Sequence, residues 1–325
     1  MTTAFLFPGQ GSYQPGCLAR PAEESAAVRE VLRTVDGIGR RYHWPPVSRL
    51  VTDPDSAGQQ ELADTAPELL QLAVFAASAA LHAQLSREQG QKPDLVLGHS
   101  FGDVAALTAA GWLTLPDAIR VVCERMVAVQ RFGPTGGGLV VAGLSRERAR
   151  HLLAALGDPR LVVAGENSPE QTVLAGPADS LSRGLAALTA VGAWSAVLPV
   201  PYAFHHPEYR TAAIQLRRAL DGLPVSCTGT AVFSDVLGRF LRPGDDLPAL
   251  LSGTLVHPVR FLGAVRALHN RGARVFVECG ARDVLTRLLP DCLPPVTRLA
   301  PGSAADRPGA RRQARLGSAR ARIPM

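Results

Sequence analysis

The sequence predicts an α/β fold: a large α/β-hydrolase-like subdomain with a parallel sheet, and a small ferredoxin-like subdomain inserted into it. Three observations carry this reading. Short apolar runs alternate with longer segments of helical period. A Gly-x-Ser-x-Gly turn stands where one such run gives way to a helical segment. The middle of the chain switches to a β-α-β-β-α-β order over about 65 residues, the split β-α-β pattern, before α/β signals resume.

Taken in order, Thr3–Phe7 is a short apolar strand running into Pro8-Gly9-Gln10-Gly11-Ser12. Residues 62–85 carry apolar side chains at helical spacing and predict a buried helix. Asp94–Leu97 is a second short strand, closed by Gly98-His99-Ser100-Phe101-Gly102. Val104–Ala110 and Pro116–Val129 follow as helices. Gly136-Gly137-Gly138 breaks the pattern. After it come strand Leu139–Ala142, helix Arg146–Leu156, strands Leu161–Ala164 and Gln171–Ala175, helix Asp179–Val191 and strand Ala193–Val200. Val275–Glu278 predicts a late strand and Asp283–Leu289 a late helix. The division expected is 1–133 with 202–300 for the large subdomain and 134–201 for the small one. Residues 301–325 are expected to be a disordered basic tail.

Composition narrows the function classes. The 325 residues carry a formal charge of +6, which raises the thought of a polyanion partner. Six arginines against the single Asp306 place five of those charges beyond residue 300, where no apolar periodicity exists. The body is close to neutral, so neither a nucleic acid nor a membrane is the expected partner. Residues 69–86 include Gln71, Ser78, His82 and Gln84, which makes them too polar for a membrane span. No basic segment precedes the first apolar run, so no signal peptide is expected. Five scattered cysteines without a Cys-x-x-Cys pair imply neither a zinc site nor a disulfide framework, and a reducing cytoplasm is the default.

The turn at Ser100 carries the chemistry. Its two glycines permit a tight strand-to-helix turn that projects the hydroxyl. The Phe101 N–H falls at a helix N-terminus, where unpaired donors favour an oxyanion. A hydroxyl needs a base, and the chain has eight histidines. His205 follows a strand at a suitable loop position, but spacing alone does not select it, and no aspartate between Ser100 and His205 stands out as a triad member.

Four motifs in order resemble the malonyl-CoA:acyl-carrier-protein transacylase family, which includes the acyltransferase domains of polyketide synthases. They are Phe7-Pro8-Gly9-Gln10-Gly11-Ser12, Gly98-His99-Ser100-Phe101-Gly102, Phe204-His205, and Pro258-Val259-Arg260-Phe261 with Glu278-Cys279-Gly280. Asn167-Ser168-Pro169 also looks like the family. The resemblance covers roughly residues 3–295.

The resemblance implies roles. Ser100 is the acylated nucleophile and His205 its base. The base is oriented by a backbone carbonyl, expected near Thr254, which accounts for the missing aspartate. The Gln10 and Phe101 N–H groups form the oxyanion hole. Arg125 binds the free carboxylate of a malonyl group, with His99, Ala66, Asn167, Phe204 and His206 around the acyl chain. No metal and no permanently bound cofactor is expected; the substrates are an acyl-CoA or acyl-phosphopantetheine. The partner is an acidic, phosphopantetheinylated acyl carrier protein, for which Arg146, Arg148, Arg150 and Arg298 are docking candidates.

Several positions depart from the family pattern. Ala66 stands where glutamine is common, Tyr13 where glutamine is usual, His206 where a small residue is usual, and Ala281 where proline is usual. These departures leave room for a larger acyl, aminoacyl or dipeptidyl group moved between carrier proteins. An editing hydrolase on the same acyl-serine is a further alternative. Polyanion binding through the basic tail is the non-enzymatic one.

Overall fold

The computed structural model describes residues 1–226 and 229–300. The expected tail, 301–325, lies outside the described residues. Among the described residues there are ten strands: β1 (Thr2–Phe7), β2 (Leu95–Gly98), β3 (Gly137–Ala142), β4 (Val162–Ser168), β5 (Gln171–Pro177), β6 (Ser195–Val197), β7 (Ala231–Ser234), β8 (Arg239–Phe240), β9 (Ala273–Glu278) and β10 (Thr297–Leu299). They form two sheets, ordered β10-β9-β1-β2-β7-β8 and β4-β5-β3-β6.

In the six-stranded sheet, β10, β9, β1, β2 and β7 pair in parallel and only β8 turns back, antiparallel to β7. A parallel sheet is covered on both faces, so its strands read as continuous apolar runs. Alternate side chains divide between the faces. Phe5, Phe7 and Val96 enter one cluster, while Ala4, Leu6, Leu95 and Leu97 enter a second with Phe276 and Phe261. The helix Phe261–Asn270 supplies much of the second face. The helix Pro67–Ala83 lies in the first cluster and is buried on nearly every side. Residues 67–88 are long and apolar enough to cross a bilayer, yet 72% of the apolar window is buried inside the fold.

That helix differs from its predicted extent. The apolar run at 62–85 is broken at Ala66, whose φ of −152° leaves the helical region, giving helices Gln59–Thr65 and Pro67–Ala83. The residue before a proline is pushed out of the α region, and Pro67 restarts the helix at its first position, where no N–H is needed. The late helix expected at 283–289 is displaced as well, to Leu289–Cys292, because Glu278 organises the preceding turn. Its buried carboxylate accepts from the Leu285 and Thr286 N–H groups and the Thr286 hydroxyl, at 2.7–3.1 Å.

The four-stranded sheet is wholly antiparallel. With helices Arg146–Leu156 and Ala178–Ala190 it has the β-α-β-β-α-β order read from the sequence. One face packs on its own helices through Val140, Ala142, Leu174, Leu181 and Leu188. The other face, through Leu139, Val141, Val173 and Ala175, joins the cluster of the large sheet. The backbone ties the two parts together: Val259 N–H donates to Ala164 O at 2.9 Å, and Glu166 N–H to Val259 O at 3.0 Å.

Candidate active site

β1 and β2 are neighbours in register, Phe7 opposite Gly98, so the turns that follow them emerge side by side. Each turn opens a short helix, Gln10–Ser12 and Ser100–Gly102. The glycines are sterically obligatory here. A Cβ at Gly98 would collide with the Asp103 backbone, and one at Gly102 with the Phe7 carbonyl. Ser100 itself adopts φ = +58°, a left-handed conformation that costs a non-glycine residue about 1 kcal/mol.

His205 stands beside Ser100. Ser100 Oγ lies 2.6 Å from His205 Nε2, and His205 Nδ1 lies 2.8 Å from a carbonyl oxygen. A carbonyl only accepts, so the proton is on Nδ1 and the Nε2 lone pair faces the serine hydroxyl. Burial pulls the His205 pKa down to about 3, with nearby Arg125 acting in the same direction. The imidazole is therefore neutral at physiological pH. Like Ser100, His205 is left-handed, at φ = +63°.

The orienting carbonyl belongs to His257, not to Thr254 as expected. Thr254 ends the helix Leu247–Gly253, and its hydroxyl donates back to Leu251 O. The chain then coils onward. Leu255 O accepts the His205 backbone N–H, and His257 O accepts the ring.

The N–H groups of Gln10 and Phe101 lie in the first turns of their short helices, where intrahelical acceptors do not exist. Neither has an acceptor among the described residues. The adjacent strand ends thus bring two spare donors to one end of the sheet, as an oxyanion hole requires.

Arg125 projects from the helix Leu115–Phe132 into the same region and is 2% exposed. Its guanidinium lies 4.5 Å from the Phe204 ring centre and 5.4 Å from that of Phe101, and one Nη donates to Gln71 Oε1 at 2.6 Å. No acidic side chain pairs with it among the described residues, and its Nε has no partner. Burial lowers its pKa to about 9, which leaves it charged at neutral pH. An unpaired buried cation costs several kcal/mol and calls for an anion.

Of the remaining expected residues, His99 and Asn167 meet. His99 Nε2 lies 3.0 Å from Asn167 Oδ1, and Asn167 Nδ2 donates to Gln171 at 2.9 Å, which joins the nucleophile turn to the small sheet. Ala66 marks the helix break near Arg125's helix and contributes only a methyl group. His206 does not face the site. Its Nε2 is 3.0 Å from Arg160 O, and its Nδ1 accepts from the Glu208 N–H. The left-handed turn at His205 sends neighbouring rings in different directions, so His206 caps the following helix instead. The docking candidates also divide. Arg146 and Arg150, one helical turn apart, line a groove of about 530 Å³ together with His151 and Arg266. Arg148 does not line it, and Arg298 lies on β10, donating to Thr286 O.

Sequence reasoning missed two features. Gln71 was visible only as a polar interruption of an apolar helix. Asp103 and Asp235 were not singled out at all, yet both are buried beneath the nucleophile turn. Burial raises both pKa values, and the Asp235 charge further opposes ionisation of Asp103; the Ser100 and Val236 N–H groups and Arg260 counteract the burial at Asp235. The folded state therefore holds protons that the unfolded chain releases, and stability falls as pH rises above the ordinary carboxylate range. Asp235→Asn is expected to raise the urea midpoint over wild type, and the gain should widen between about pH 4 and about pH 7. A gain independent of pH would mean that the pair is not a shared-proton site.

A serine hydrogen-bonded to a neutral imidazole, beside two spare backbone donors at the end of a parallel sheet, defines an enzyme of acyl transfer. The acyl transferase domain family matches residues 4–321, further than the 3–295 expected, and the chain belongs to that family. It is 36% identical over 296 residues to the spectinabilin polyketide synthase system protein NorA' of Streptomyces orinoci, covering 90% of this chain but only 8% of that protein. Among solved structures, the malonyl-CoA:acyl carrier protein transacylase of Xanthomonas oryzae superimposes with a TM-score of 0.84 at 32% identity, covering 95% of this chain and 98% of the other. A malonyl-transacylase solved in complex with a type II polyketide synthase acyl carrier protein also gives 0.84, at 27% identity, over 92% of this chain and 96% of the other. The protein is an acyltransferase.

Proposed function

We propose that the protein is a ping-pong acyltransferase of polyketide-type biosynthesis. It takes a carboxylated acyl group, malonyl first among them, from a CoA thioester to the phosphopantetheine thiol of an acyl carrier protein. One observation carries the choice of acyl group: Arg125 is a buried guanidinium with spare donor capacity and no acidic partner, close to Phe101 of the nucleophile turn. A bidentate carboxylate would satisfy it. The complex of a similar transacylase with its carrier protein supports the acceptor.

His205 Nε2 takes the Ser100 proton as Oγ attacks the thioester carbonyl. The Gln10 and Phe101 N–H groups hold the oxyanion. Its collapse breaks the carbon–sulfur bond, and His205 returns the proton to the leaving thiolate. The acyl-Ser100 ester is then attacked by the carrier-protein thiol, with His205 again acting first as base and then as acid. The His257 carbonyl holds the imidazole tautomer through both halves but carries no charge to stabilise the imidazolium. Arg150 and Arg266, on a groove that Glu147 and Glu166 also line and where Arg146 pairs with Glu166, are the basic residues there that could meet an acidic carrier protein.

Intact mass spectrometry tests this after incubation with malonyl-CoA, methylmalonyl-CoA and acetyl-CoA. A malonyl adduct that moves to an added phosphopantetheinylated carrier protein is the expected result. An adduct obtained only from an acyl carrier protein, and from no CoA thioester, would overturn the CoA donor. Loss of the adduct to water, with none reaching the carrier protein, would make the enzyme a hydrolase.

A further inference from the structure

Gln71 is fully buried on the Pro67–Ala83 helix, where every neighbour along the chain from Leu69 to Ala77 is apolar. Its amide stands between two groups of the site. Oε1 accepts from Arg125 Nη1 at 2.6 Å, and Nε2 donates to Gln10 Oε1 at 3.1 Å. The direction of this chain is fixed by chemistry. A guanidinium can only donate, so it takes the Gln71 oxygen. The Gln71 NH₂ must then find an acceptor, and it takes the Gln10 oxygen. The Gln10 NH₂ is left over, buried and without a partner, as is Arg125 Nε. The relay therefore ends in an unsatisfied donor on each side, and in a folded protein such donors await an acceptor.

Resting on the carboxylated-acyl reading above, we propose that Gln71 is a positioning residue that sets acyl selectivity. It fixes the Arg125 guanidinium and, through Gln10, leaves a second donor for the acyl group. Gln10 then serves twice: its backbone N–H points to the oxyanion and its side-chain orientation is set by Gln71. Recognition of the distal carboxylate is thereby tied to the geometry at the reacting carbonyl. A carbonyl at position 71 is what Arg125 requires; a carboxylate there would pair with Arg125 and turn an acyl carboxylate away.

The experiment compares Gln71→Met and Gln71→Glu in the full chain, with malonyl-CoA and acetyl-CoA as probes. In Gln71→Met, the ratio of kcat/KM for malonyl over acetyl should fall about tenfold, mostly through KM, because Arg125 loses one charged hydrogen bond but not its charge. In Gln71→Glu it should fall about a hundredfold or more, because the acyl carboxylate meets a neutralised site. An equal loss for both substrates, leaving the ratio unchanged, would overturn selectivity and leave only packing. Unfolding midpoints supply a readout that needs no substrate. Gln71→Glu should be more stable than Gln71→Met when Arg125 is present, and the order should reverse on an Arg125→Met background; absence of this coupling overturns the relay. If wild type takes no malonyl from any thioester while the coupling holds, the fault lies in the proposed function and the selectivity claim falls with it.

Discussion

Ser100→Ala is expected to lower acyl transfer by about 10⁶-fold, the size of effect that follows when a nucleophile acting as a unit with its base is removed. The structure explains why so little should remain. Among the described residues the His205 lone pair has only the serine hydroxyl before it, 2.6 Å away, and no other hydroxyl or thiol is hydrogen-bonded to that ring. The two spare backbone donors would still polarise a thioester, but with water as the only attacker the acyl group could not be held for a carrier protein. The variant should fold as well as wild type, since alanine meets the same left-handed backbone. Its acyl adduct should be missing from the intact mass, and its unfolding midpoint unchanged. Near-normal transfer would end the mechanism proposed here.

Arg125→Ala should lower kcat/KM for malonyl-CoA by about ten- to a hundredfold, from the loss of about 1.5–3 kcal/mol of charged hydrogen bonding. Acetyl-CoA has no carboxylate to lose and should be affected much less. Arg125→Lys should recover little, because an ammonium is a point charge and cannot offer the planar fork or stack on Phe204 as the guanidinium does. A hydrophobic replacement should also leave the protein at least as stable, since it removes a buried cation that has no acidic partner. Steady-state kinetics with the two thioesters and a urea midpoint for each variant check both claims. Equal losses for both substrates would reduce Arg125 to a structural role.

What could be read without coordinates was local. The strand Thr2–Phe7, the strand before Gly98 and the glycine turn are written in adjacent residues, and so is the helix Arg146–Leu156, bounded by Ser145 and Gly157. The antiparallel unit was legible because hairpin-spaced strands and short helices follow one another closely. Features set by distant contacts were not. Which carbonyl meets His205 depends on how the chain coils out of the helix Leu247–Gly253, and three successive turn residues could have supplied it. His206 looked like a neighbour of the base because it is one in sequence; a single left-handed residue sends it to Arg160 instead. The Gln71–Gln10 contact joins positions 61 residues apart, and no spacing rule links them. The helices Arg210–Ala219 and Phe261–Asn270 are not legible in the sequence, although the second packs its apolar face on the large sheet and the first packs against the helices Leu115–Phe132 and Leu247–Gly253.

Ser100 and His205 are two of only three non-glycine residues with positive φ among the described residues. The third, His43, ends a surface turn. A lineage that kept this chemistry must carry that conformational cost at both positions, whereas one that lost it would gain stability by drifting to glycine at either. Glycine at position 100 or 205 in a relative would thus signal a retired enzyme, even where every other motif of the family survives.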